Sequence, residues 1–345
     1  MSGRDPERSG TAAYRATGID LDAAAASVDL IREVALAASR PEVVSSVGGF
    51  AGLVDLGDGR LLAASADGVG TKLEIARRLG VLDTVGIDLV AMCANDVVCT
   101  GAEPLFFLDY LAVGRLDPTA VAAIVSGVAE GCRRAGCALL GGETAEHPGV
   151  MPTDGFDLAG FCVGLVDRQR VLMRENAREG DALIGFRSTG LHANGFSLVR
   201  RVLLEDGRSL DAFVPELGRS LGEELLEPTA LYVRAVLELH RAGLVRSAAH
   251  ITGGGFQENV GRALPENLGA VIDRSAWTPQ PIFALVARAA GLDPSDLFAV
   301  LNQGIGMVAV IRPGSENEAV ERARAAGTEA VIIGHVTREP RIEIS

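Results

Sequence analysis

The chain has 345 residues, of which 48% are hydrophobic and 22% are charged, and this balance excludes a globally disordered chain. The formal net charge of −13 argues against general nucleic-acid binding, because a phosphate backbone would be repelled. The first ten residues are polar, and no stretch reaches the roughly 18 uninterrupted apolar residues that a spanning helix needs. We therefore expect a soluble cytoplasmic protein without a membrane or nucleic-acid partner.

The predicted elements of the first half mix helices with strands. Residues 1–20 are predicted to be a flexible tail. Apolar residues at helical spacing then predict a helix over residues 22–40, which stops before Pro41. The strands that follow are predicted at 61–66, 104–113, 137–140 and 157–166, and the helices at 72–79, 84–100 and 118–136.

A charged stretch over residues 167–180 separates the two halves of the chain. It predicts a linker at 169–180 between an N-terminal domain, 21–168, and a C-terminal domain, 181–345. The second half has predicted strands at 182–186, 248–252, 270–273, 306–311 and 330–336, and helices beginning at Asn194 and spanning 228–242. Without strict βαβ alternation, the expected class is α+β, with a mixed or antiparallel sheet packed against helices in each domain.

Glycine is unusually frequent and is clustered. There are 42 glycines, about one residue in eight against a usual ~7%. Clustered glycines mark places where the backbone turns tightly or approaches a ligand closely. This pattern favours an enzyme or a ligand-binding protein.

The turn before the helix at 72–79 is a candidate anion site. Its glycines free backbone N–H groups at a helix N-terminus, and Lys72 adds a full positive charge. The residues concerned are Asp67, Gly68, Gly70, Thr71 and Lys72. The spacing is not that of a Walker loop, and a tight turn with a surface lysine is the alternative.

Acidic and amide residues interrupt apolar surroundings at two further places. Asp88 and Asn95 lie on one stripe of the helix at 84–100, with Asp96 beside them. Glu143 follows a glycine pair, and its carboxylate could bind Mg²⁺. The alternatives are the polar face of an amphipathic helix and a solvated turn.

Two histidines precede candidate binding loops. His192 lies near the start of a helix for which Asn194 is a predicted N-cap. His250 leads into three consecutive glycines at 253–255, a sequence suited to a phosphate nest. A structural histidine and a simple turn are the alternatives.

Together these segments resemble the aminoimidazole ribonucleotide synthetases, or phosphoribosylformylglycinamidine cyclo-ligases. The resemblance rests on Asp-Gly-Val-Gly-Thr-Lys at 67–72, Gly-Gly-Glu-Thr-Ala-Glu at 141–146, the segments 86–96 and 190–200, and Asn-Gln-Gly-Ile-Gly-Met at 302–307. It covers roughly residues 14–345. It implies ATP-dependent ring closure of formylglycinamidine ribonucleotide in purine synthesis, through an activated formyl oxygen, by a homodimer paired through its N-terminal domains.

The resemblance also implies residue roles. Asp67, Asp96 and Glu143 would be the Mg²⁺ ligands, and Lys72, His192 and His250 the catalytic residues. ATP would be bound by Gly68, Gly70, Thr71, Asn95, Gly141, Gly142 and Thr144, and the substrate by Asn194, Gly253, Gly254 and Gly255.

The N-terminal arm departs from the family's pattern. Arg15, Arg32 and Leu36 stand where lysines are common, and arginine is not an equivalent phosphate partner. Two rival functions are another ATP-dependent phosphotransferase of the same superfamily and a dimer that binds nucleotide without turnover. The presence of every acid, glycine loop and histidine named above argues against the second.

Overall fold

The structure, a computed structural model, describes residues 10–45, 47–205 and 207–345. Within these residues, two six-stranded sheets are formed, one from each half of the chain. Both sheets are mixed and both pack against helices, which confirms the predicted α+β class. No helix in the described ranges combines the length and the apolar character needed to cross a membrane.

The first sheet has the strand order β1-β2-β3-β6-β4-β5, and all pairs are antiparallel except β4 with β5. The helices of this half are α1 (Gly10–Arg15), α2 (Leu21–Ala37), α3 (Leu73–Leu79), α4 (Val85–Val98) and α5 (Pro118–Ala135), and the strands are β1 (Val43–Ser45), β2 (Gly52–Asp55), β3 (Arg60–Gly68), β4 (Glu103–Val113), β5 (Ala138–Glu146) and β6 (Phe156–Asp167).

Helix α4 lies between the first sheet and α5. Small residues make this close packing possible: a Cβ atom on Gly86 would lie 2.3 Å from the backbone nitrogen of Val128 in α5. Helix α5 begins as predicted, with Asp117 accepting from the Thr119 N–H and a proline in the first turn. It ends at Gly136, whose φ is 77°.

The second sheet has the order β10-β12-β7-β13-β11-β14, in which only β11 and β14 are parallel. The helices of this half are α6 (Phe196–Leu204), α7 (Leu221–Leu225), α8 (Val233–Arg241), α9 (Gly255–Arg262), α10 (Pro281–Ala290) and α11 (Glu316–Ala325). The strands are β7 (Ala182–Arg187), β8 (Phe213–Val214), β9 (Arg219–Ser220), β10 (Val245–His250), β11 (Gly269–Ile272), β12 (Ile305–Ile311), β13 (Ala330–Thr337) and β14 (Ile342–Ile344), of which β8 and β9 form a separate small ribbon.

Three elements differ from the sequence prediction. Residues 10–15, assigned to a tail, form α1, which packs against α6 and the short helix Pro294–Ala299, while residues 1–9 lie outside the described ranges. Strand β5 continues through the glycine pair to Glu146. Helix α8 begins only at Val233, because the segment before it hydrogen-bonds to α4 instead of to itself.

Candidate active site

A cavity of about 480 Å³ lies where the end of β3 faces the start of α6. It is lined by five residues that the sequence predicts as metal, nucleotide or substrate ligands: Asp67, Gly68, Gly70, Thr71 and Asn194. The φ of Gly70 is 71°, a conformation that the turn into α3 requires and that glycine adopts without strain. The turn and the N-terminal segment of α6 therefore form one concave surface built from both halves of the chain.

The cavity also contains residues outside the predicted site. Tyr14 of α1 and Asp157 of β6 contribute to its wall. The Ser197 hydroxyl lies 3.3 Å from that of Thr71 and joins α6 to the turn. Ser197 follows Asn194 by three residues, and this spacing was the available signal for it. Tyr14 lies in the segment predicted to be a tail, and its signal was its place at the start of the region that resembles the family.

Two carboxylates approach each other beside this cavity. Asp67 is the second-last residue of β3, and Asp96 lies near the end of α4, where its side chain is 17% exposed. Burial, and then the charge of Asp96, raise the pKa of the Asp67 carboxyl to about 6. The Asp67 oxygen that accepts from the Gly68 N–H at 2.7 Å partly offsets this effect. Two adjacent carboxylates favour a cation between them.

His250 orients Asp96. Its Nδ1 lies 2.9 Å from the Asp96 carboxylate, and its Nε2 lies 3.4 Å from the amide nitrogen of Asn95. Because an amide NH₂ can only donate, Nε2 accepts and the proton is on Nδ1, from which it is donated to Asp96. The ring is fully buried, and the contacts described here join it to side chains of the protein itself, which does not support the predicted catalytic role.

Asn95 joins the two halves of the chain. Its oxygen accepts from the Tyr232 N–H, and its amide donates to the Ala230 carbonyl, both at 2.9 Å. The side chain is fully buried and lines no part of the cavity. The prediction that Asn95 binds the nucleotide is therefore corrected to a structural role.

Lys72 also differs from its prediction. Its Nζ lies 2.9 and 2.8 Å from the two oxygens of Asp88 and donates to the carbonyls of His192 and Glu227 at 3.1 and 2.7 Å. Both charged side chains are 0% exposed. An ammonium group has three donors, and these partners occupy all of them. Lys72 thus forms a buried ion pair and hydrogen bonds that connect the two domains, and it has no N–H donor free for a phosphate.

His192 is likewise buried, at 2% exposure. Its Nε2 accepts from the N–H groups of Thr189 and Ala230 at 3.3 and 3.4 Å, and burial lowers the pKa of the ring well below its usual range. The residue has a φ of 65°, an uncommon conformation for a side-chain-bearing residue. His192 therefore holds its loop as a neutral ring, and the prediction that it contacts substrate is not supported by this geometry.

Glu143 does not join Asp67 and Asp96. Residues that are paired in register across a sheet point to the same face of that sheet. Asp67 is paired in this way with Gly160 of β6, which is paired with Asp109 of β4, which is paired with Gly142 of β5. Glu143 is one residue further along and faces the opposite side, away from α4. Within the described ranges, no group of three His, Cys, Asp or Glu side chains could hold a metal ion. The prediction that Glu143 joins Asp67 and Asp96 is thus corrected: of these three carboxylates, the structure brings together Asp67 and Asp96.

The glycine pair before Glu143 fits a side chain of the protein itself. A Cβ atom on Gly142 would lie 1.7 Å from a carboxylate oxygen of Asp109. Asp109, which the sequence analysis missed, is partly buried, and burial raises its pKa. Gly141, Gly142 and Thr144 lie on the edge strand β5 and line no part of the 480 Å³ cavity.

The triple glycine forms the turn into α9. Gly254 and Gly255 have φ values of 84° and 60°, and a Cβ atom on Gly255 would lie 2.0 Å from the Phe298 carbonyl. Gly253 has no such constraint, and its Cβ position is 3.8 Å from the Asn194 side-chain oxygen. The loop is therefore adjacent to a cavity residue, but two of its three glycines are required by the backbone alone.

Magnesium chemistry fits the donor set at Asp67 and Asp96. Mg²⁺ is usually bound by one or two carboxylates together with phosphate oxygens and water. Burial is the larger cause of the raised pKa of Asp67, and the charge of Asp96 is the second; a bound cation would offset the repulsion between the two carboxylates. These two residues are the ones that would hold it.

Comparison with known proteins gives consistent results. The family model described as AIR synthase related protein, N-terminal domain, matches residues 48–166, and the corresponding C-terminal domain matches 178–345. A phosphoribosylformylglycinamidine cyclo-ligase of Bacillus mycoides (strain KBAB4) is 47% identical over 331 residues, covering 94% of this chain and 96% of the relative. One of Lachnospira eligens is 46% identical over 329 residues, covering 94% and 96%.

Solved structures show the same fold at lower identity. Protein tt0281 of Thermus thermophilus is 25% identical, with a TM-score of 0.67, covering 91% of this chain and 95% of that one. A thiamine-monophosphate kinase of Stenotrophomonas maltophilia K279a is 19% identical, with a TM-score of 0.61 and coverage of 92% and 96%. The family models and the curated relatives confirm the resemblance seen in the sequence motifs, and the chain belongs to the AIR synthase related proteins, among the phosphoribosylformylglycinamidine cyclo-ligases.

Proposed function

We propose that this chain catalyses the ATP-dependent ring closure of formylglycinamidine ribonucleotide to aminoimidazole ribonucleotide, with release of ADP and phosphate, in purine biosynthesis. The observation that carries the proposal is the 480 Å³ cavity, which collects Asp67, Gly68, Gly70, Thr71 and Asn194 in a chain 47% identical to a cyclo-ligase. The T. maritima protein PurL, which shares the fold at 19% identity and a TM-score of 0.59, is complexed with ADP in its structure.

The chemistry proceeds in two stages. The γ-phosphoryl group of ATP passes to the formyl oxygen of the substrate, and the substrate's own nitrogen then attacks that carbon and expels phosphate as the ring closes. The enzyme's contribution is to orient the reactants and to stabilise charge, as in other phosphoryl transfers. Bound Mg²⁺ would neutralise the polyphosphate.

Each lining residue has a proposed task. Asp67 and Asp96 would hold Mg²⁺, with His250 fixing the orientation of Asp96 through its 2.9 Å hydrogen bond. The turn at Gly68 and Gly70 would bind phosphate oxygens through backbone N–H groups. The Thr71 hydroxyl would add a further donor to the phosphates, and Asn194, beside the loop at residues 253–255, would orient the substrate.

The alternative activity is phosphotransfer by another ATP-dependent member of the superfamily, the class of the thiamine-monophosphate kinase that shares the fold. A coupled assay of ADP release separates the two. We expect ADP release to require formylglycinamidine ribonucleotide and to be absent with thiamine monophosphate or selenide. Release that depends on either of those compounds instead would reject the cyclo-ligase assignment.

We also propose that the active form is a homodimer paired through the first sheet. Phe161 is 45% exposed on the face away from α4, and Leu105 and Leu140, at the irregular positions of β4 and β5, are 45% and 63% exposed. Large apolar side chains exposed on three neighbouring strands of one sheet favour a protein contact. Glu143 lies on this same face, so in a dimer the segment 141–144 would reach a nucleotide only across the interface.

Light scattering tests the dimer. We expect a particle of twice the 35.9 kDa of one chain, and we expect Phe161→Glu to shift it to the monomer because a charge would be buried in the interface. Phe213→Glu is the matched control, since Phe213 is 66% exposed but belongs to the β8–β9 ribbon. A wild-type monomer at micromolar concentration would contradict the proposal.

The domain division at 21–168 and 181–345, with a linker at 169–180, is proposed on the same basis. Family models ending at 166 and beginning at 178 support it. In this division the first domain binds ATP and Mg²⁺ and forms the dimer, and the second binds the substrate. A cytoplasmic location follows from the proposed role in purine synthesis.

A further inference from the structure

One side chain of α9 holds the triple-glycine loop from inside the protein. Asn259 is 0% exposed. Its amide nitrogen donates to the carbonyls of Gly255 and Gly253 at 2.8 and 3.1 Å, and the Thr252 carbonyl lies 3.5 Å away. Among the described residues, no backbone carbonyl accepts a hydrogen bond from the N–H of Gly253 or Gly254. The carbonyl side of the loop is therefore engaged by the protein, and two N–H groups remain available to an oxygen atom of a ligand.

Arg262, the last residue of α9, connects Asn259 to the first domain. Its Nη1 donates to the Asn259 side-chain oxygen at 3.3 Å, which also determines which end of the amide faces the loop. Its Nη2 donates to the Gly49 carbonyl at 2.7 Å, and the guanidinium carbon lies 4.1 Å from the centroid of the Phe50 ring. A guanidinium over an aromatic face is attracted to the ring. The first domain, Arg262, Asn259 and the loop thus form one continuous series of contacts.

A loop of three glycines depends on such contacts for its shape. Glycine loses more conformational freedom on folding than any other residue, so ordering three in succession is costly. A loop that adopts its binding form in only a fraction of the molecules lowers the apparent affinity for its ligand by that fraction. The hydrogen bonds from Asn259 restrict the alternative conformations of the loop, and Arg262 links the restricted form to the first domain.

We propose that Asn259 and Arg262 are positioning residues, which hold the loop at residues 253–255 in the form that binds the phosphorylated ribonucleotide and couple that form to Gly49 and Phe50. The inference rests on the proposed function, in which this loop lies beside the substrate. Neither side chain needs to touch the substrate, because both act through the backbone of the loop.

Titration calorimetry with formylglycinamidine ribonucleotide, in the absence of ATP, tests Asn259. Asn259→Asp keeps the size of the side chain and an oxygen that accepts from Arg262, but a carboxylate cannot donate to the loop carbonyls. We expect the dissociation constant for the ribonucleotide to rise at least about tenfold, and that for ATP to stay within about twofold of the wild-type value. An unchanged affinity for the ribonucleotide in the folded variant, or an equal loss for both ligands, would overturn the proposal.

The half-buried Arg262 provides a test that does not depend on a change in the core. Arg262→Ala and Phe50→Leu should each weaken ribonucleotide binding about threefold or more, and the double variant should bind no worse than the weaker single variant, because both changes break the same link. Arg262→Lys should recover only part of the loss, since an ammonium group does not reproduce the planar fork of a guanidinium. Additive losses in the double variant would contradict the coupling.

Direct binding of ATP by Arg262 is the alternative, because Arg262 also lines a cavity of about 490 Å³ formed by both halves of the chain. A loss of ATP affinity in Arg262→Ala, with ribonucleotide affinity intact, would establish that alternative and reject the positioning role. Arg241→Ala is the matched control: its Nη2 donates to Glu103 at 2.9 Å across the domains, and we expect ribonucleotide binding to be unchanged.

The wild-type titration separates this inference from the proposed function. A wild-type protein that binds no formylglycinamidine ribonucleotide would reject the proposed function itself. Wild-type binding that Asn259→Asp and Arg262→Ala leave unchanged would reject the positioning roles alone. Melting temperatures measured on the same samples check that each variant is folded.

Discussion

Replacing Asp96 with asparagine should reduce ring closure more than about a hundredfold and leave the melting temperature at neutral pH equal or higher. Asp96 is half of the proposed Mg²⁺ site, so the loss of its charge weakens the ion's hold on the polyphosphate. The fold should tolerate the change, because an asparagine oxygen can still accept from His250. Excess Mg²⁺ should restore part of the rate.

The stability of Asp96→Asn should differ from that of the wild type in a pH-dependent way. Asp67 has a pKa of about 6 in the folded protein, partly because of the Asp96 charge, against about 3.9 in an unfolded chain. A raised acid pKa favours the folded state at low pH, and this contribution is lost as pH rises through about 4 to 6. In chelator, Asp96→Asn should therefore melt higher than the wild type above about pH 6, and the two should converge near pH 4.

Turnover and melting temperature should be measured on the same sample. A structural Asp96 would give the reverse pairing, with stability lost and activity per folded molecule retained. A destabilised but fully active Asp96→Asn variant would remove this residue from the site.

Replacing Lys72 with methionine should destabilise the protein by about 3–5 kcal/mol, because Asp88 would remain as a buried, uncompensated charge. The carbonyls of His192 and Glu227 would also lose their donor. Denaturant unfolding measures the loss. The Michaelis constant for ATP of the molecules that remain folded should stay within about twofold of the wild-type value, because Lys72 has no free donor for phosphate.

The double variant Lys72→Met/Asp88→Asn is the matched control. It removes both charges and keeps an oxygen to accept from the backbone N–H of Thr229, which donates to Asp88 at 2.8 Å. It should recover part of the stability lost in the single variant. Intact stability with a strongly reduced turnover number in Lys72→Met would instead restore Lys72 to the catalytic residues.

The sequence predicted local features well where neighbours in the chain determine them. The turn at residues 67–72, the cap and stop of α5, and the glycine-rich entry to α9 all depend on short-range backbone geometry, and the structure contains them. Asp67, Gly68, Gly70 and Thr71 consequently line the cavity together.

Features set by distant partners could not be predicted in this way. The sequence left the Lys72 ammonium group free to bind phosphate because its hydrogen-bond acceptors are distant in the chain. These acceptors, in Asp88, His192 and Glu227, are 16, 120 and 155 residues away. Glu143 looked like a third ligand because nothing local reveals which face of β5 it occupies; that depends on its register with β4. The same strand pairing hid Asp109, whereas the contact of Tyr14 with the cavity depends on the packing of α1 against α6.

The fate of the formyl oxygen tests most directly whether ring closure is driven by transfer of phosphate to that oxygen. Formylglycinamidine ribonucleotide carrying isotopically heavy oxygen in its formyl group is incubated with ATP, Mg²⁺ and the purified protein, and the products are analysed by mass spectrometry. We predict one aminoimidazole ribonucleotide for each ADP, with the heavy oxygen in inorganic phosphate. Release of ADP without aminoimidazole ribonucleotide, or phosphate that carries no heavy oxygen, would contradict the account.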